Sequence, residues 1–144
     1  EYAPSKHAAL RLQYTSGNVL GGQFNVFGAN AELSITNQLA IFGRYGVGSY
    51  DDTTFGDIEP SYWMAGVAFK DLFKSGALAG IAIGQPFIEN KVGSASQTNF
   101  EAFYNLPVSD NIRLTPLVQV ITNPANREEN GTILTGTLRT VFSF

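Results

Sequence analysis

Six ionisable residues stand singly among small polar neighbours: Arg11, Glu32, Arg44, Glu101, Arg113 and Arg139. A guanidinium group offers planar, bidentate contacts to carboxylates and other polar groups. Facing an enclosed wet space, this set would either pair internally into a plug or line a path that favours anions and polar solutes. Little else in the chain could do covalent chemistry. His7 is the only histidine and lies near the N-terminus, where a surface or interfacial role is expected. No Ser-His-Asp set, paired-carboxylate motif or metal-ligand spacing appears, and with no cysteine there is neither a disulfide nor a thiolate metal site. Gly17, Gly21 and Gly22 lack the strand-to-helix context of a phosphate cradle. Asp51, Asp52 and Thr53, followed by Asp57 and Glu59, read as a solvated acidic loop, with a calcium site as the alternative. No enzyme activity, cofactor or nucleic-acid partner is expected.

The elements that must position these charges alternate with a period of two. Eight segments of about the ten residues a tilted membrane strand needs cover roughly 8–15, 24–36, 39–47, 61–70, 77–84, 99–106, 112–121 and 132–144. Their connections also alternate, short at 37–38, 71–76 and 107–111, and long at 16–23, 49–60, 85–98 and 122–131. Tight turns at one end and longer loops at the other are the habit of outer-membrane barrels. The fifth segment is weakly patterned because both its faces are small and apolar. Pro116 removes a ladder donor inside the seventh, where a bulge or bend is expected.

On one side of each segment lie the charges, with Gln13, Asn30, Ser34, Asn99, Asn105, Thr115 and Gln119 around them. The other side reads Leu10, Leu12, Tyr14; Ala29, Ala31, Leu33; Ile41, Tyr45, Val47; Trp63, Ala65, Val67, Phe69; and on to Leu138, Phe142 and Phe144, uninterrupted by charge. Tyr14, Trp63, Phe69, Phe142 and Phe144 fall towards row ends, where interfacial aromatic belts sit. Charged residues make up only 15% of the chain, against roughly 25% in soluble domains. The lysines Lys6, Lys70, Lys74 and Lys91 keep to strand ends, turns and loops. No run approaches the ~20 apolar residues of a membrane helix. The expected fold is therefore all-β, a transmembrane antiparallel up-and-down barrel of about eight strands in one domain. A soluble ligand barrel with its apolar face inward is the alternative that alternation by itself does not exclude. An even strand count puts both termini on one side, the periplasmic one.

The segment Phe100-Glu101-Ala102-Phe103-Tyr104-Asn105-Leu106-Pro107, with Thr115-Pro116, Val118 to Asn126 and the closing Leu138-Arg139-Thr140-Val141-Phe142-Ser143-Phe144, resembles the C-terminal end of cyanobacterial porins of the OprB-like type. Phe42-Gly43-Arg44-Tyr45-Gly46 and Gly84-Gln85-Pro86-Phe87 resemble that family as well. The resemblance implies an outer-membrane channel that passes small solutes by diffusion: carbohydrates by the family's name, inorganic ions including iron in its cyanobacterial members. Such porins are longer, with about twice the strands and a periplasmic domain that grips the cell wall; none is expected here. An eight-stranded barrel is just wide enough for its own side chains. The chain is thus half of a larger barrel whose N-terminal half is missing, a small closed barrel with a structural role, or a unit that completes a wider pore as a homo-oligomer. The bilayer and small polar solutes or ions are the expected partners.

Overall fold

The computed structural model describes residues 2–5, 7–19 and 21–144, with side chains from His7 onward. The charges expected at Glu1 and Lys6 lie outside these residues, as does Leu20. Eight long strands carry the fold: β2 (Ala8–Val19), β3 (Gly22–Ser34), β4 (Leu39–Thr53), β6 (Ser61–Lys70), β7 (Leu78–Ile88), β8 (Thr98–Ser109), β9 (Ile112–Thr122) and β10 (Thr132–Phe142). Two short ones, β1 (Tyr2–Ser5) and β5 (Gly56–Ile58), fold back on β2 and β4. Among the eight long strands every neighbour in sequence is a neighbour in the sheet, and all the pairs between named strands are antiparallel. The up-and-down all-β fold expected from the alternation is what forms.

The sheet does not close on itself. Its order runs from β1 and β2 at one side to β10 at the other, leaving the outer edge of β10 without a partner strand among the described residues. β1 meets β2 between Ala8 and Leu10, and no strand among the described residues pairs with β2 on that side from Leu12 onward. A single open layer has no core. Only Ile58 and Ala77 among the described apolar residues are buried, while Leu12, Leu134 and Leu138 are 60%, 71% and 65% exposed. The accessible surface is 9518 Å² for 15.6 kDa, against roughly 7,300 Å² for a compact protein of that mass. The apolar rows are not packed against one another, which excludes the soluble ligand barrel for this arrangement.

Two expected loops are strands. Residues 16–19, 22 and 23 belong to a hairpin in which Val19 pairs with Gly22, and Gly21 stands at φ +95°. Ser16, Gly17 and Asn18 have turn composition, yet Gly17 pairs with Phe24. The Phe24 ring stacks on Tyr50 of β4 at 5.8 Å, so the ladder continues upward. In the same way β4 runs on to Thr53 and β5 returns alongside it. Pro116 produces no bulge. Phe103 pairs with Leu117 and Leu106 with Leu114, in one register on both sides of it, so the ladder skips a step without inserting a residue. The register shift of that pair falls at Pro107 to Ser109 instead.

Candidate functional site

Register decides which side chains share a face, because residues paired across strands project the same way. Arg11 aligns through Asn30, Arg44, Met64 and Gly84 with Asn99. One row nearer the short turns, Ala9, Glu32, Phe42, Gly66, Ala82, Glu101, Gln119 and Thr135 align. Thr115 pairs with Arg139, and Arg113 with Val141, on the same face. All six ionisable residues picked out above therefore lie on one side of the sheet. They fall into separate groups rather than one ring.

On β2 to β4, Arg11 Nη1 meets Glu32 Oε1 at 2.5 Å and Arg44 Nε donates to Asn30 Oδ1 at 2.5 Å. On β8 to β10, Gln119 Nε2 donates to Glu101 Oε2 at 2.7 Å, and Arg139 lies nearby without a hydrogen bond or ion pair among the described residues. Arg113 sits at the short-turn end, donating to Asn105 Oδ1 at 2.9 Å and to the Gly76 carbonyl at 3.2 Å. Asn105 in turn donates to the buried Thr115 hydroxyl. Between the first two groups stand β6 and β7, whose residues on this face away from the Lys70–Leu78 pair at the short-turn end are Tyr62, Met64, Gly66, Ala68, Gly80, Ala82 and Gly84. Three strand spacings separate β4 from β8, about 14 Å, which puts Arg44 out of direct reach of Glu101. Both border a hollow of about 460 Å³ with Phe42, Tyr62, Asn99 and Gln119. The apolar strip across its floor was not foreseen. Its signal was the run of small residues at alternate positions 66, 68, 80, 82 and 84.

The opposite face carries two aromatic rows. Leu12, Ala29, Tyr45 and Trp63 align near the long connections, with Tyr14 and Phe27 one row beyond. Leu39, Phe69, Ala79 and Tyr104 align near the short turns, with Phe142 and Phe144 at the same end. Register puts Tyr45 directly beside Trp63, and Tyr104 in line with Phe69 across Ala79. Trp63 Nε1 donates to Gln85 Oε1 at 2.9 Å, and Tyr104 Oη to the Leu72 carbonyl at 2.6 Å. Six residues separate Trp63 from Phe69, about 20 Å of strand. The rows between them, from Leu10 to Leu134 and from Leu33 to Gly136, contain no charge. A larger hollow, about 740 Å³, lies among Ile41, Ala65, Val67, Ile81, Phe100 and Val118, where small side chains leave a dent in an otherwise bulky surface.

At the long-connection end three loops are tied together. Glu89 accepts from the Glu59 and Lys91 backbone N–H groups at 2.7 and 3.1 Å, and Lys91 Nζ donates to the Asp57 carbonyl at 2.5 Å. These N–H groups, Lys91 first, hold the Glu89 carboxyl below its ordinary 4.5. Asn126, buried and left-handed at φ +59°, takes the Ser94 N–H on its carbonyl and the Gln97 N–H on Oδ1. Asp57 Oδ1 accepts from the Asp52 N–H, closing the acidic loop on itself. No group of three His, Cys, Asp or Glu side chains placed to hold a metal gathers among the described residues. Around this end seven acids (Asp51, Asp52, Asp57, Glu59, Glu89, Glu128, Glu129) face two bases, Lys91 and Arg127.

A family model described as carbohydrate-selective porin, OprB family, matches residues 2–144. The chain belongs to the OprB family. An uncharacterized protein of Nostoc sp. is 36% identical over 127 residues, which is 83% of this chain and 22% of the relative. An uncharacterized protein of Synechocystis sp. is 38% identical over 89 residues, 58% of this chain and 16% of the relative. The chain thus spans about a fifth of the length of the curated relatives it matches. No solved structure matches it. OprB is a family of channels rather than enzymes, and membership implies the bacterial outer membrane. The resemblance stated from residues 100–144 is borne out.

Proposed function

We propose that this chain forms part of the wall of an outer-membrane diffusion channel, with the face of Arg44 and Glu101 to the water and the face of Trp63 and Phe69 to lipid. The observation that carries the reading is the open, two-faced sheet, whose β1–β2 side and β10 side do not pair with each other among the described residues. Closed alone, eight strands would fill their own interior; open, they supply about half of a barrel wide enough to conduct. Relatives more than four times as long as the matched stretch favour further strands from the same polypeptide over pairing of identical copies. The short-turn end, where β2 begins and β10 ends, is the periplasmic one, and the acidic loops form the outer mouth. The solutes are small, hydrophilic and passively diffusing, carbohydrates or inorganic ions. The acidic mouth concentrates cations within about 8 Å, while the unpaired Arg139 favours anions and polar solutes at the wall.

Planar-bilayer recording tests this. The folded protein, purified from membranes, is expected to give discrete conductance steps in salt. Silence from protein whose gel migration is heat-modifiable would instead favour a closed barrel with a structural role.

A further inference from the structure

Among the buried glycines of the polar face are Gly28, Gly46 and Gly80, three positions that no second layer covers. What covers two of them is a ring from the strand alongside, and the same tyrosine reaches the third. Gly46 pairs directly with Tyr62 across β4 and β6, and Gly80 with Phe103 across β7 and β8. A Cβ at Gly80 would stand 2.5 Å from Phe103 Cε1 and 2.7 Å from Cζ. At Gly46 it would run into two ring carbons of Tyr62 and lie 2.5 Å from Oη, the same oxygen a Cβ at Gly28 would meet at 2.5 Å. At Gly46 and Gly80 the three nearest atoms all belong to the ring, none to backbone, so the rings alone occupy the space of the missing methyl. Phe42 lies over Gly66 in the same way, but there the Ile81 carbonyl at 2.6 Å also forbids a side chain. Gly136, on the opposite face, has nothing within 4 Å.

A ring seated on glycine lies against the wall. Non-bonded carbons settle about 3.5–4.0 Å apart, so a methyl beneath it forces the ring outward by about 1 Å or into another rotamer. From this we infer that Gly46 and Gly80 are positioning residues for solute passage: they hold Tyr62 and Phe103 flat and so set how far the rings intrude on the path. The inference rests on the channel reading above. Because the rings are uncharged, the seats govern the free cross-section and not the preference for anions or cations.

Gly46→Ala and Gly80→Ala, recorded in planar bilayers, are expected to lower the unit conductance and leave the reversal potential unchanged. Gly80→Ala combined with Phe103→Ala should return the conductance to the parent value or above, which loss of fold would not do. Gly136→Ala, with open space around it, should match the parent. Parent-like conductance in both seat variants would overturn the inference. Should the parent itself not conduct, the channel reading fails, and the seat is read separately by fluorescence. In a Trp63→Phe background, Phe103→Trp should be quenched more strongly by acrylamide once Gly80→Ala is added. Equal quenching would refute the seat.

Discussion

Ile81 and Ala82 are consecutive in β7 and point to opposite sides of the sheet, so one substitution placed at each tests the face assignment directly. Ile81 aligns with Val67 and Ala102 in a row free of charge and is 57% exposed. Arginine there would face hydrocarbon near mid-strand, at a cost of about 2–4 kcal/mol. Ala82 pairs with Glu101 on the other face, where arginine gains an opposite charge across the ladder, a contribution of about 0.2–1 kcal/mol. With tenfold in equilibrium constant for every 1.4 kcal/mol, Ile81→Arg should lower the folding constant roughly 30- to 700-fold. Ala82→Arg should leave it unchanged or raise it slightly. Urea unfolding from lipid vesicles, followed by the emission of the single tryptophan Trp63, measures both. Equal destabilisation by the two variants, or an undisturbed Ile81→Arg protein, would refute the two-faced wall.

Neutralising Arg44, Arg113 or Arg139 should move the reversal potential towards cations, most at Arg139, which makes no ion pair or hydrogen bond among the described residues; unchanged potentials in all three would remove them from the path. Asn126→Ala leaves the half-buried Gln97 N–H without its acceptor, about 1 kcal/mol, with a further penalty for a left-handed alanine. Hydrogen exchange should quicken at residues 94–97 and 123–131 while the ladder amides of β6 and β7 keep their protection. Glu89 has its folded value held below 4.5, so its tie to Glu59 and Lys91 contributes fully above that pH and is lost as pH falls through the lowered value. Exchange at those two amides, relative to intrinsic rates, should accelerate in acid, and Glu89→Gln should abolish the pH dependence.

The faces of the strands were legible because a period of two needs only a few consecutive residues: Arg44 against Tyr45, or Leu138 against Arg139, reveals its side locally. Register was not legible. It relates residues twenty or more positions apart, and so the pairings of Gly80 with Phe103 and Tyr45 with Trp63 emerged only in three dimensions. The same limit explains the strip of β6 and β7 that parts the charges, since Gly66 and Ala82 are unremarkable until they align between Phe42 and Glu101. Residues 16–23 were misread for another reason. Ser16-Gly17-Asn18 has the composition of a loop, but a glycine opposite Phe24 makes room for a ring that stacks on Tyr50, and tertiary contact overrides composition. Closure could not be read at all, because the alternation of a strand says nothing of what meets the outer edge of β10.

The bare outer edge of β10 has a consequence for how the molecule enters a membrane. Alternate residues along its eleven direct their amide and carbonyl sideways, and each such group left without a partner in hydrocarbon costs several kcal/mol. A half-built wall therefore has no comfortable resting state in lipid. The final seam has to be zipped during insertion, not after it.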